Sequence, residues 1–197
     1  MIESKTIFSA VAIILTFLAY IPYIRDTLMG KTTPHAYTWF TFGTATAVIF
    51  ALQLSAGAGA GAWITLVISL TVFFIFALSL KRGEKNITLL DTTFFISALI
   101  ALGLWIFAKQ PMWSAVLLAV TNALGFAPTI RKSWNNPFSE TLSTYVINTT
   151  RHFVSLFALA SYNVITYIYP LSATIITGGF VITLLIRRKI LGTIQKR

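Results

Sequence analysis

One apolar stretch of the sequence, residues 141–160, carries an arginine and a histidine side by side near its middle. An arginine at the centre of a membrane span costs about 2.5–3.5 kcal/mol on insertion scales, so it needs a polar partner or a ligand. On a helix, the polar residues of this stretch recur every three or four positions and share one face. They are Thr144, Asn148, Arg151, His152 and Ser155. This pattern predicts an interior face that could bind an anionic or carboxylate-bearing solute.

Structural roles stay open for each of these side chains. Arg151 could instead bond helix carbonyls or extend its long side chain to an interface. His152 alone is more typical of a packed, hydrogen-bonded histidine than of a proton carrier. Asn122 lies at mid-depth in another apolar stretch, where its amide could bind a solute or bond a neighbouring helix. The candidate substrate-binding set is therefore Asn122, Asn148, Arg151 and His152.

The sequence lacks residues of the type and spacing that catalysis or metal binding requires. The chain has no cysteine, and its two histidines, His35 and His152, fall on different predicted elements. No paired carboxylates or nucleophile–base arrangement can be assembled. We therefore predict no enzyme activity, no catalytic residue, no cofactor and no metal.

The elements that must position these side chains are membrane helices. The chain is 56% hydrophobic and 10% charged with a mean hydropathy of +0.80, far less polar than a soluble domain of 197 residues. Nearly uncharged apolar stretches of about 18 or more residues predict transmembrane helices. They lie at 6–24, 36–54, 60–80, 89–108, 112–130, 141–160 and 164–186. The predicted fold class is an all-α integral membrane protein with seven transmembrane helices.

Basic residues lie mainly on one side of the predicted membrane. Of the 15 lysines and arginines, 12 fall in alternate connections and the C-terminal tail, while Lys5 and Lys109 fall on the other side and Arg151 lies within a span. Because cytoplasmic connections are enriched in basic residues, we predict an N-terminus outside and a C-terminus in the cytoplasm of an inner or plasma membrane. Contact with the lipid bilayer accounts for the net charge of +10, so no nucleic-acid partner is expected.

Two polar segments repeat nearly the same pattern 106 residues apart. "YIPYIRDT" begins at Tyr20 and "FAPTIRKS" begins at Phe126, and their Pro, Ile and Arg align without a gap. Each segment follows one predicted span and precedes two, which indicates two parallel three-helix bundles joined by a linker helix. The predicted domains are a first repeat at 1–82, the linker helix at 83–108, and a second repeat with a basic tail at 109–197.

The Pro-x-Ile motif, with the following "GKTTPHAYTW", resembles the PQ-loop and SWEET transporter superfamily. The resemblance covers nearly the whole chain in layout and two short motifs in sequence. It implies three helices, a linker helix and three helices, with the N-terminus outside. Tyr23 and Thr129 replace the glutamine that follows each proline in that family, and the third and seventh spans lack the asparagine of sugar-carrying members.

These observations predict a transporter or facilitator of a small polar or anionic solute, working by alternating access between the bundles. Pro22 and Pro128 are candidate hinge or gate residues, although a proline at such a position could also simply end its helix. Since no carboxylate lies at mid-membrane, we expect facilitated diffusion by a uniporter. A non-transporting receptor or sorting protein on the same scaffold is the alternative. The sequence leaves open the solute and whether the chain forms a homo-oligomer.

Four local expectations accompany this interpretation. Trp39 should lie in an aromatic belt at the membrane interface, and Gln53 should reach solvent near the outer end. Thr32, Thr33 and Ser139 suit capping positions for the helices that follow them. The small residues of Ser55–Ala62 predict close helix packing or a flexible turn.

Overall fold

The computed structural model describes residues 2–107 and 110–194, which form seven α-helices and no strand within those ranges. The helices are α1 (Ile2–Leu28), α2 (Ala36–Ser55), α3 (Ala60–Arg82), α4 (Leu89–Phe107), α5 (Pro111–Asn135), α6 (Leu142–Phe157) and α7 (Val164–Ile194), and a 3-10 helix, Pro137–Ser139, precedes α6. Lys109, Lys196 and Arg197 of the charge pattern lie outside the described residues.

Five of the described helices, α1, α2, α3, α5 and α7, are long and apolar enough to cross a membrane. α4 has 19 residues, and α6 has 16 residues and ends at Phe157 rather than at residue 160. Of the described α-helices, α6 alone is shorter than the roughly 17–25 residues of a usual span. The chain is therefore all-helical with the apolar helices of an integral membrane protein.

Large apolar side chains cover the outside of the molecule, while hydroxyl groups lie inside it. On α1, Ile7, Ile14 and Ile21 are exposed at seven-residue intervals, whereas Thr16 is fully buried. The Thr16 hydroxyl donates to the Ala12 carbonyl at 2.9 Å, so the helix itself satisfies it. Hydrocarbon favours this arrangement because a polar group finds its partners only within the protein.

The third helix of each half of the chain lies between the other two. α3 packs closely on α1 and α2, and α7 packs closely on α5 and α6. In the described residues, α1 meets α2 and α5 meets α6 only through long side chains, such as those of Tyr23 and Trp39. Between the halves, α1 packs on α6 and α2 packs on α5. Exchanging α1 with α5, α2 with α6 and α3 with α7 therefore reproduces the same contacts. The exchange leaves out α4, which packs on α5 and α2.

The connections group into two faces of the molecule. The first, which we call the basic end, contains connections 29–35, 83–88 and 136–141 and the C-terminal end of α7. There Glu84 N donates to Pro34 O at 3.0 Å, and Arg187 Nε donates to Trp134 O at 2.8 Å. The second, the opposite end, contains the start of α1 and connections 56–59 and 158–163.

Pro22 and Pro128 lie inside α1 and α5, which continue to Leu28 and Asn135, so neither proline ends its helix. A proline within a helix lacks the N–H that would bond the preceding turn. Close to this interruption, the Ala19 carbonyl accepts a hydrogen bond from the Thr144 hydroxyl at 2.8 Å. The proline turn of α1 is thus joined directly to α6.

Three of the local expectations are wrong. Trp39 is 3% exposed and packs among aromatic side chains, and Gln53 is 1% exposed because it bonds neighbouring helices. The N-cap residues of α2 and α6 are His35 and Thr141, and neither side chain makes a cap hydrogen bond. The packing of polar groups between helices overrides the local capping and interface preferences of these residues.

A buried cluster joins the connection before α2 to α4 and α5 at the basic end. Arg131 Nε lies 2.6 Å from Asp91 Oδ1, and His35 Nε2 lies 3.6 Å from Asp91 Oδ2. Both ring nitrogens of His35 are buried without a hydrogen-bond partner in the described part of the chain. Burial lowers the pKa of His35, and the nearby Asp91 carboxylate only partly opposes that shift.

We expect acid to destabilise the fold through His35. Its pKa is lowered in the folded chain, so below the ordinary histidine pKa of about 6.5 the unfolded chain binds a proton that the folded chain does not. The free energy of unfolding should therefore fall as pH falls through this window. Thermal midpoints in detergent between about pH 7 and pH 5 should fall less steeply for His35→Gln than for the wild type. Parallel curves would contradict this role.

Close packing of α2 on α5 depends on Gly125. A Cβ added there would lie 2.5 Å from Thr41 Cγ2 and 2.7 Å from Thr41 Cβ. We expect Gly125→Ala to destabilise the protein by about 1–3 kcal/mol, measured as a lower thermal midpoint in detergent. Gly179→Ala is the matched control, since nothing lies within 4 Å of its added Cβ. Equal midpoints for the two variants would show that the helices can separate there freely.

Candidate functional site

A cavity of about 60 Å³ lies among α1, α2, α3, α5, α6 and α7. That space holds about four waters. Eight of its lining residues form pairs separated by 106 positions: Tyr20 and Phe126, Trp39 and Tyr145, Phe42 and Asn148, Thr46 and His152. The cavity therefore lies where equivalent positions of the two halves face each other.

The two halves line this cavity with different chemistry. α6 contributes Asn148 and His152, whereas α2 contributes Phe42 and Thr46 at the equivalent positions. Behind the wall, Arg151 on α6 is matched by Ala45 on α2, and both are fully buried. The α6 side of the cavity, which we call the polar wall, therefore carries an amide and an imidazole that the equivalent α2 positions lack, although the scaffold around it is paired.

Arg151 lies next to the cavity and bonds two of its lining side chains. Its Nε donates to Asn148 Oδ1 at 2.9 Å, and its Nη2 lies 2.8 Å from His152 Nε2. Its Cζ lies 6.0 Å from the centre of the Tyr20 ring. Its Nη1 is buried without a hydrogen-bond partner in the described residues. The guanidinium therefore neither reaches an interface nor bonds helix carbonyls.

The four candidate binding residues fall into two positions. Asn122, Asn148 and His152 line the cavity, and Arg151 supports it from behind. Asn122 lies on α5, and its Nδ2 donates to the Leu118 carbonyl at 3.1 Å. The helical spacing of polar residues in α6 predicted the shared face of three of the four.

An aromatic layer separates the cavity from the basic end. The Tyr23 ring lies 4.9 Å from the Trp39 ring and 6.4 Å from the Tyr145 ring, centre to centre. Trp39 and Tyr145 also line the cavity and are equivalent at the 106-residue offset. Tyr23 occupies the position after the repeated proline, so this position fills the space between the two halves.

A polar layer follows the aromatic one. Lys132 Nζ lies 2.5 Å from Glu140 Oε1, and the Tyr145 hydroxyl donates to Glu140 Oε2 at 2.8 Å. Lys132 also donates to the Thr33 carbonyl, which joins the second half to the first. Sequence reasoning missed this ion pair, because both residues fall in segments explained by topology alone. The informative signal is that Glu140 is one of only five acidic residues in the chain.

The opposite end is closed by small residues and one buried amide. Gln53 accepts a hydrogen bond from Thr65 at 2.6 Å and donates to the Thr166 carbonyl at 3.2 Å, which ties α2 to α3 and α7. A Cβ added at Gly59 would lie 3.0 Å from Ala160 Cβ, and Ala160 N donates to Ala58 O at 3.3 Å. The expected close packing of the Ser55–Ala62 segment is thereby confirmed.

Several hydroxyl groups near the basic end remain unpaired. Tyr23 Oη, Thr27 Oγ1 and Ser133 Oγ are buried without hydrogen-bond partners in the described chain. Thr27 and Ser133 are equivalent at the repeat offset. Each such group carries a desolvation cost of about 1–3 kcal/mol. The contacts between the halves are therefore less favourable here than fully hydrogen-bonded contacts would be.

No protein-family model, curated protein or solved structure matches this chain. The described residues also contain no group of three or more histidine, cysteine, aspartate or glutamate side chains that could hold a metal ion. The chemistry of the site therefore rests on the cavity, its one-sided polar wall and the two layers that separate it from the ends.

The buried ion pair at the basic end should matter far more to stability than an exposed one. Glu140→Gln leaves the Lys132 ammonium buried without its counter-ion, which should cost about 3–5 kcal/mol and lower the thermal midpoint strongly. Arg25→Gln is the matched control, because Arg25 pairs with Asp26 from a side chain that is 63% exposed. Its loss should cost less than about 1 kcal/mol. Similar midpoints for both variants would contradict the assigned role of Glu140.

Proposed function

We propose that this chain is a membrane transporter that carries a small polar solute by alternating access between α1–α3 and α5–α7. The observation that supports this most directly is the cavity lined by equivalent residues from both halves. In transporters built from parallel repeats, the substrate site lies at the interface between the repeats, near the midplane. The proposal includes membership of the PQ-loop and SWEET superfamily, on the repeated motif and the helix packing.

The parallel-repeat architecture draws support from two independent features. The contacts among helices survive the exchange of α1 with α5, α2 with α6 and α3 with α7. Thr33 N also donates to Ser139 O at 3.2 Å, and these two residues are equivalent at the 106-residue offset. A residue that contacts its own equivalent lies on the axis relating the two copies, so α4 takes the role of the linker helix.

Alternating access needs a closable layer on each side of the cavity. The aromatic and polar layers supply one at the basic end, and the Gln53 bonds with the packed connections supply the other. The unpaired hydroxyls of Thr27 and Ser133 favour opening at the basic end, since water would satisfy them. Pro22 and Pro128 are the proposed hinges, because each interrupts its helix beside these layers.

The proposed orientation places the basic end in the cytoplasm and the N-terminus outside an inner or plasma membrane. The basic end carries Arg25, Lys81, Arg82 and Lys85 among its exposed residues. Anionic lipids of the cytoplasmic leaflet would attract such a face.

Uptake into proteoliposomes tests the proposed function. Purified protein should equilibrate a small labelled solute from a panel of sugars, amino acids, nucleosides and carboxylates across the vesicle membrane. The flux should be saturable and insensitive to a protonophore, because no carboxylate lines the cavity. Saturable binding without flux would instead favour the receptor or sorting protein.

A reversible lock provides the control for that experiment. Because the natural chain has no cysteine, Thr33→Cys combined with Ser139→Cys places a single disulfide across the basic end. Oxidation should stop uptake and a reductant should restore it, while each single variant transports normally. Uninterrupted flux through the oxidised double variant would contradict rocking of the two halves.

A further inference from the structure

The hydrogen-bonding direction of the cavity wall follows from Arg151. A guanidinium only donates hydrogen bonds, so both of its side-chain partners must accept. Asn148 therefore faces Arg151 with its carbonyl oxygen, and His152 faces it with an unprotonated Nε2. The orientation of the amide and the tautomer of the ring are thus fixed by chemistry.

The atoms left over on these two residues are donors. Asn148 keeps its Nδ2 amino group, one hydrogen of which faces the Tyr20 hydroxyl, and His152 keeps its Nδ1–H; both residues line the cavity. Since Arg151 lies directly behind them, its positive charge adds to the attraction of a negatively charged group. The α6 wall is consequently a site for an acceptor that carries negative charge.

The α5 wall adds an acceptor. Asn122 donates one Nδ2 hydrogen to the Leu118 carbonyl, and its Oδ1 can accept a hydrogen bond from a ligand. Phe42, Ile68 and Val72 supply apolar lining between the polar groups. The cavity thus has a donor wall, an acceptor and an apolar surface.

Charge balance narrows the ligand further. Arg151 makes no salt bridge among residues 2–107 and 110–194, and no acidic residue lines the cavity. A buried cation without a counter-ion is costly, and a bound anion beside Asn148 and His152 would compensate it. A zwitterionic solute would bring a second cationic group into the same small space as Arg151. That group would face only the neutral amide of Asn122.

We propose that the solute is a small monocarboxylate with a hydroxyl group on the adjacent carbon. Its carboxylate meets Asn148 Nδ2 and His152 Nδ1–H, its hydroxyl donates to Asn122 Oδ1, and its alkyl group contacts the apolar lining. The small volume of the cavity, about 60 Å³, favours a compact solute. This assignment extends the proposed function. It rests on that proposal in one respect, that the cavity is the site of the transported solute. Arg151 is a positioning residue, because it acts through Asn148 and His152.

Equilibrium binding to the wild-type protein in detergent tests the ligand class. Radiolabelled L-lactate should bind saturably, and unlabelled lactate should compete about ten- to hundredfold better than its neutral isostere lactamide. Propionate, which lacks the hydroxyl, and alanine, which is zwitterionic, should compete more weakly than lactate. Absence of saturable lactate binding, equal competition by lactamide, or equal competition by chloride would each overturn the assignment.

Selectivity in variants tests the individual roles. Arg151→Gln should bring lactate and lactamide close to parity, and Arg151→Lys should restore part of the preference because it keeps the charge. A merely structural role would weaken both ligands alike. Asn122→Leu should abolish the difference between lactate and propionate while keeping the preference over lactamide. Arg25→Gln, far out at the basic end, should change neither ratio.

The two proposals fail in different ways. Lactate binding with the expected selectivity but no flux in proteoliposomes would contradict the transport function and leave the ligand assignment intact. Flux of a neutral solute, with no preference for carboxylates, would contradict the ligand assignment and leave the transport function intact.

Discussion

A guanidinium held among membrane helices without a carboxylate beside it is the constraint on which the rest of the site depends. Arg151 can remain there only because Asn148 and His152 accept its hydrogen bonds. Those bonds in turn determine which atoms of the two residues face the cavity, so one buried charge fixes the polarity of a whole wall. The surrounding helices provide a low-polarity environment, which strengthens the electrostatic interactions that this wall can make.

The layers on either side of the cavity differ in how firmly they are held. At the opposite end the Gln53 amide uses both its oxygen and its nitrogen, and small residues allow the connections to touch. At the basic end a buried ion pair coexists with unpaired hydroxyls. A layer that combines strong and unsatisfied contacts can exchange them for water at modest net cost, whereas a fully satisfied layer resists opening.

The sequence could predict the helices and most of the polar wall, because hydrophobic periodicity and the 106-residue repeat are strong signals. It could not predict that Trp39 and Gln53 are buried, since their positions near helix ends suited an interface or solvent. It also missed the Lys132–Glu140 pair, which forms because the connection after α5 folds back on the last turn of that helix. Arg151 lies behind the wall rather than in it, a distinction set by side-chain packing that spacing alone does not contain.

The pairing of Arg151 with Ala45 has a consequence for how such a cavity can be built. A dimer of two identical copies of α1–α3 or of α5–α7 would place either no guanidinium or two of them around about 60 Å³ of space. Two like charges so close would repel strongly in a low-dielectric interior. Two unequal halves can instead present one positive side and one neutral side. Inequality of the halves is therefore a chemical requirement of this cavity, which gives its interior a fixed electrical direction.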